Sequence, residues 1–112
     1  MSDVFHLTAT AMCAQLASGQ LSSEALTRAH IDRIEALDGP INAVVVRRFD
    51  QALSEARVAD AERRQGHSRG PLHGLPMTVK EAFNVAGLPT CWGFEALANN
   101  VASQHAWAVQ RL

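Results

Sequence analysis

Of the ten basic side chains in this 112-residue sequence nine are arginine, and the only lysine is Lys80, inside the apolar run "GLPMTVKEAFNV". The distinction is chemical. Arginine stays protonated at any ordinary pH, whereas a lysine amine carried into a low-dielectric interior can lose its proton and act as a base. In an extended segment side chains alternate, so Met77, Val79 and Glu81 face one way and Thr78, Lys80 and Ala82 the other. Lys80 and Glu81 therefore point apart. Two readings stand side by side: a buried general base, or a lysine that snorkels to solvent from a strand edge, its uniqueness an accident of arginine-rich coding. Its uniqueness, the apolar run and the Gly/Pro-rich loop before it weigh against the second and leave both open.

The other reactive side chains have weaker spacing. The five histidines never fall at i, i+4 with an acid between them, so no metal site is expected. His73, between Leu72 and Gly74, is a weak candidate base, and His30 reads as a satisfied core histidine. Cys13 and Cys91 have neither CxxC nor metal-ligand spacing and read as reduced, buried thiols. Trp92 and Phe94 read as core or pocket wall. A formal charge of −1 gives no electrostatic case for nucleic acid or a membrane surface, and the pairs Arg47/Arg48 and Arg63/Arg64 read as solvated faces. The start "MSDVFHLTAT" has no basic n-region and no apolar run reaches about 18 residues, so a cytoplasmic protein is the default expectation.

The elements that must position Lys80 follow from caps and periodicity. Thr8 caps a helix over "ATAMCAQLAS" that stops at Gly19. Ser22 caps a second, with Glu24 in its first turn and Leu26, His30, Ile34 and Leu37 as its apolar stripe, ending at Gly39-Pro40. Residues 43–47, in "NAVVVRRF", read as a buried strand. Asp50 caps a third helix whose inner face is Ala52, Leu53, Ala56 and Ala59 and whose stop is Gly66. The glycines and prolines from 66 to 76 mark a loop held to a fixed path, "MTVKEAFNV" (77–85) reads as a second strand, and Ser103 caps a last helix running through Val109 to Leu112. The core is aliphatic, because the sequence has no Tyr, four Phe and two Trp. The last helix carries no terminating signal, and the chain is expected to continue past Leu112.

The run "GPLHGLPMTVKEAFNVAGLPTCWG" resembles the N-terminal part of the amidase signature family, in which a glycine- and proline-rich loop leads to a strand bearing a catalytic lysine. "LSSEALTRAHIDRIEALDGPINAVV" and "ALSEARVADAERRQGHSRGPLHG" are similar to the family's first helical hairpin, strand and following helix. The resemblance covers about Leu7 to Leu112. It implies an α/β fold with helices packed on a mixed central β-sheet, residues 1–112 forming an N-terminal fragment of a single amidase domain. It implies hydrolysis of the carbon–nitrogen bond of a small-molecule, non-peptide amide by a Ser-Ser-Lys mechanism, without cofactor or metal, and Lys80 is the catalytic residue that transfers.

The family's two serines and its oxyanion donors belong to a Gly/Ser-rich segment that none of Ser2, Ser18, Ser22, Ser23, Ser54, Ser68 or Ser103 sits in, so these residues alone are expected to be inactive. Glu81 stands where many members carry Asp, which leaves the main carboxylate chemistry in place and bears only on fine positioning. Two other readings remain. One is the signature-bearing component of a glutamyl-tRNA amidotransferase, which supplies ammonia from glutamine to its partner proteins. The other is a non-catalytic remnant or interaction module. A fragment of such a sheet leaves apolar faces uncovered, so poor stability or self-association, including a homo-oligomer, is expected of the 112 residues alone.

Overall fold

A computed structural model describes residues 2–112. The chain divides into two compact units, one formed by residues up to 43 together with Arg48–Pro76, the other by Val44–Arg47 together with Met77–Leu112.

The first unit is helical. After a 3-10 turn, Ser2–His6, come α1 (Ala9–Ser18), α2 (Ser23–Leu37) and α3 (Phe49–Arg64). The first two start where their caps dictate. Thr8 Oγ1 accepts the Ala11 N–H at 3.1 Å, and Ser22 Oγ accepts the Ala25 N–H at 3.1 Å. Gly19 ends α1 with φ 76°, a left-handed conformation that costs glycine nothing. Helix α3 begins one residue before the expected cap. Its Ncap is Arg48, without a side-chain cap bond, and Asp50 lies in the first turn, where a carboxylate suits the positive end of the helix dipole. The Arg48 side chain reaches forward to Glu55 instead, Nη1 to Oε2 at 3.0 Å. At its other end Gly66 N–H bonds the Arg63 carbonyl and His67 N–H the Glu62 carbonyl, a Schellman closure around a left-handed glycine.

Val4, Leu16, Leu21 and Leu26 form the buried cluster, with Phe5 and Leu75 packed against it. Burial of each leucine contributes about 1.5–3 kcal/mol. The buried face of α2 differs from the expected stripe. Ser23, Leu26, Thr27 and Ile31 are buried, whereas Leu37 is 49% exposed. The rotation follows from the start of α2, which is fixed by a carboxylate of α3. Asp60 Oδ1 accepts the Ser23 N–H at 2.7 Å and Oδ2 the Glu24 N–H at 3.0 Å, so the first turn of α2 must face α3. His30 is satisfied as expected, its Nδ1 donating to the Leu26 carbonyl at 2.9 Å and its ring edge-on to Phe5.

The loop after α3 is held from several sides. Arg63 Nη2 donates to the His73 carbonyl at 2.9 Å, and Ser23 Oγ to the Gly74 carbonyl at 2.5 Å. His73 accepts the Arg69 N–H on Nδ1, which leaves Nε2 to donate to the Ala59 carbonyl at 2.8 Å. Its part is structural. Arg63 is correspondingly not on a solvated face: its side chain is 20% exposed and its Nη1 pairs with Asp60 at 3.1 Å. Arg64 is exposed.

The second unit corrects the strand expectations. Neither 43–47 nor 77–85 forms a strand, and among the described residues the only β pairing is an isolated antiparallel bridge, Pro89 with Val101. β-branched residues favour a pleated surface only where a neighbouring strand offers one. Here 44–47 and 77–85 share a unit without a ladder, and Val45 is exposed. The mixed sheet is thus not found among the described residues. The last helix, α4 (Trp107–Gln110), is a single turn capped by Ala106 rather than Ser103. Ala106 N–H bonds the Asn84 carbonyl at 2.8 Å, and His105 Nδ1 accepts the Ala86 N–H at 3.0 Å. Those bonds hold 105–106 outside a helix and delay its start. No helix of the described residues is long and apolar enough to cross a membrane.

Candidate functional site

Lys80 opens a tight turn rather than standing in a strand. Its carbonyl accepts the Phe83 N–H at 2.9 Å, which makes Glu81 and Ala82 the central residues. The Lys80 side chain is exposed and makes no hydrogen bond or ion pair to the described residues. The described residues therefore do not bury its amine.

Glu81 behaves differently. It is half-buried, and its carboxylate accepts the Cys91 N–H on Oε1 at 2.5 Å and the Trp92 N–H on Oε2 at 3.0 Å. The Cys91 thiol lies 3.6 Å from Oε2 as a weak further donor. Both amides belong to a second turn, closed by Phe94 N–H to the Cys91 carbonyl at 2.8 Å. Its central residues, Trp92 and Gly93, have φ 53° and 77°. Positive φ at both central positions is the signature of a type I′ turn, which favours Asn-Gly. A tryptophan there is a genuine outlier. The carboxylate offsets that strain, because hydrogen bonds to a charged group contribute about 1.5–3 kcal/mol each.

Beside these turns lies a concavity of about 390 Å³, with Phe83, Trp92 and Leu97 as apolar wall and Asn84, Thr90 and Asn100 as polar groups. Thr90 is 4% exposed and its Oγ1 has no partner among the described residues. The chain around it is fixed by Thr90 N–H to the Asn100 carbonyl and Asn100 Nδ2 to the Thr90 carbonyl, both 2.9 Å.

Trp92 thus serves as pocket wall, though 65% exposed, while Phe94 is 61% exposed and does not line this concavity. Cys13 and Cys91 are free and half-buried. Sequence reasoning singled out Lys80 and did not anticipate the grip of Glu81 on a turn ten residues away. The sequence carried no signal for it, since Trp-Gly does not announce a left-handed pair.

A family model described as Amidase matches residues 25–112. The chain is 38% identical, over all of its length, to a glutamyl-tRNA(Gln) amidotransferase component of Streptomyces coelicolor, of which it covers 22%. It is 39% identical over 95% of its length to an acylamidase of Rhodococcus erythropolis, covering 22% of that protein. It is 41% identical over 98% of its length to the corresponding glutamyl-tRNA(Gln) amidotransferase component of Moorella thermoacetica, covering 23%. The chain therefore spans about a fifth of the length of the curated relatives it matches.

Proposed function

The chain belongs to the amidase family, and we propose that it is the N-terminal portion of a longer amidase that hydrolyses non-peptide amides by a Ser-Ser-Lys mechanism. Lys80 is its general base. The observation that carries this reading is the position of the sole lysine in the segment 70–93, within the 25–112 family match. The resemblance of that segment supplies the role; the exposed amine is consistent with a group whose partners are contributed by other residues.

In the proposed reaction the uncharged Lys80 amine takes a proton from a bridging serine, which takes one from the nucleophilic serine as its oxygen attacks the amide carbonyl. The protons return by the same relay to the departing nitrogen as the carbon–nitrogen bond breaks. Water then hydrolyses the acyl-serine ester. In the longer chain, residues outside these 112 complete the mixed sheet of the family fold and withdraw the amine from water.

In the complete polypeptide a fluorophosphonate probe labels a serine, and Lys80→Ala lowers amide hydrolysis by about 10²–10⁴-fold, the range of general acid–base catalysis. The 112 residues alone are not labelled. Retention of activity within a few-fold in the Lys80→Ala protein would remove the lysine from the mechanism, and absence of labelling in the complete polypeptide would favour a non-catalytic remnant. A second reading, the signature-bearing component of a glutamyl-tRNA amidotransferase, is supported by the 38% identity over the whole chain to the Streptomyces coelicolor protein. Ammonia release from glutamine that depends on co-purifying partner proteins distinguishes it.

A further inference from the structure

We infer that Glu81 is a positioning residue for Lys80, acting through its hold on the 91–94 turn and not as an acid or base; the inference rests on the amidase reading above. Three observations converge on it. The Lys80 carbonyl is fixed by Phe83 N–H, and the very next side chain is anchored at two points, on Cys91 N–H and Trp92 N–H. The backbone carrying the lysine is therefore pinned at its carbonyl and through the adjoining side chain, while the amine is free to meet partners. The anchor is also under tension, because it holds a tryptophan at φ 53°.

Each oxygen of the carboxylate accepts one backbone amide N–H. A group so occupied is spent on geometry. A misplacement of about 1 Å in a catalytic group costs on the order of 10²-fold in rate, so the chemistry that depends on this anchor is the lysine's alignment with the hydroxyl it must deprotonate. Glutamine at this position keeps the shape but presents an NH2 group to one of the two amide donors, and aspartate keeps both acceptors on a shorter arm.

The test uses the complete amidase with Glu81→Gln, Glu81→Asp and the double variant Glu81→Gln/Trp92→Asn, beside Lys80→Ala and Trp92→Asn as controls. Glu81→Gln is expected to lower kcat by about 10- to 100-fold with KM within about 2-fold, and to leave the limbs of the pH–rate profile in place. Glu81→Asp recovers part of the loss. Asn-Gly adopts the type I′ turn unaided, so the double variant recovers kcat relative to Glu81→Gln even though Trp92→Asn alone does not raise activity. Full kcat in Glu81→Gln, disappearance of a pH limb, or no recovery in the double variant each overturns the inference. If Glu81→Gln does not fold, the relative kcat of Glu81→Asp alone and with Trp92→Asn decides by the same recovery. Full activity in Lys80→Ala would instead defeat the amidase reading itself, so the two failures are distinguishable.

Discussion

Replacement of Asp60 by alanine removes a carboxylate that three donors share in the helical unit. Its carboxylate, 8% exposed, accepts Ser23 N–H at 2.7 Å, Glu24 N–H at 3.0 Å and Arg63 Nη1 at 3.1 Å. Two of these donors are orphan amides of the first turn of α2, which have no partner within their own helix. Hydrogen bonds to an ionised group contribute about 1.5–3 kcal/mol each, and an anion at a helix N-terminus up to about 2 kcal/mol. These terms share one carboxylate and do not add. The better guide is the loss of one partner from a buried ion pair, about 3–5 kcal/mol, since Arg63 would keep its charge with its side chain 20% exposed. Native proteins are stable by about 5–15 kcal/mol, so in the complete polypeptide Asp60→Ala removes a large part of that margin where α2 meets α3. With a urea slope of about 1–3 kcal/mol/M, the unfolding midpoint followed by helical circular dichroism falls by at least about 1 M. Asp60→Asn, which retains one acceptor, falls by about half as much. Hydrogen exchange at the Ser23 and Glu24 amides accelerates in parallel. A midpoint for Asp60→Ala indistinguishable from wild type would refute the claim that this carboxylate orients α2.

Gly74→Ala is expected to destabilise the same unit by about 1–3 kcal/mol in urea unfolding, because residue 74 sits at φ 82° and a Cβ there would lie 2.9 Å from Arg63 Nη2 and 3.1 Å from Ser23 Cβ. Acid should weaken the fold in a defined direction. The Arg48 hydrogen bond holds the Glu55 carboxyl below its ordinary value of 4.5, and the Arg69 hydrogen bond does the same for Glu62. A carboxyl whose folded value is depressed contributes stability that is present above the unfolded value and lost as pH falls through the folded one. The urea midpoint therefore declines below about pH 4.5, and a Glu55→Gln/Glu62→Gln protein shows a flatter decline; equal slopes would contradict the assignment. Both pairs are partly solvated, so 1 M salt reduces the difference.

The helices were legible because their determinants are local. Thr8, Ser22, Gly19 and Gly66 act within four residues of themselves, and each does what its side chain or its lack of one requires. Where a partner lies far along the chain, the sequence was mute. Asp60 looks like one more polar residue in "VADAERR", yet its partners are 36 and 37 positions away. That distant contact turned the α2 stripe toward Ser23, Thr27 and Ile31 and put Leu37 in solvent. The strands failed for a related reason: the β-branched run at 44–46 declares a preference that only a neighbouring strand can satisfy.

The candidate site divides along the same line. Lys80 was proposed from residue type and surrounding motif, both readable in order, whereas the contacts of the segment that carries it are tertiary and were not readable. Without a ladder around residues 80–94, backbone donors are met by a carboxylate and by turn carbonyls. Order in such a segment rests on a few long side chains instead of a repeating backbone pattern, and each of them is correspondingly sensitive to length. The length of the Glu81 side chain thus sets the reach of its carboxylate from the Lys80 turn to the amides of Cys91 and Trp92. The backbone at Trp92 adopts a conformation its own side chain disfavours, so the instruction for that turn is carried at position 81.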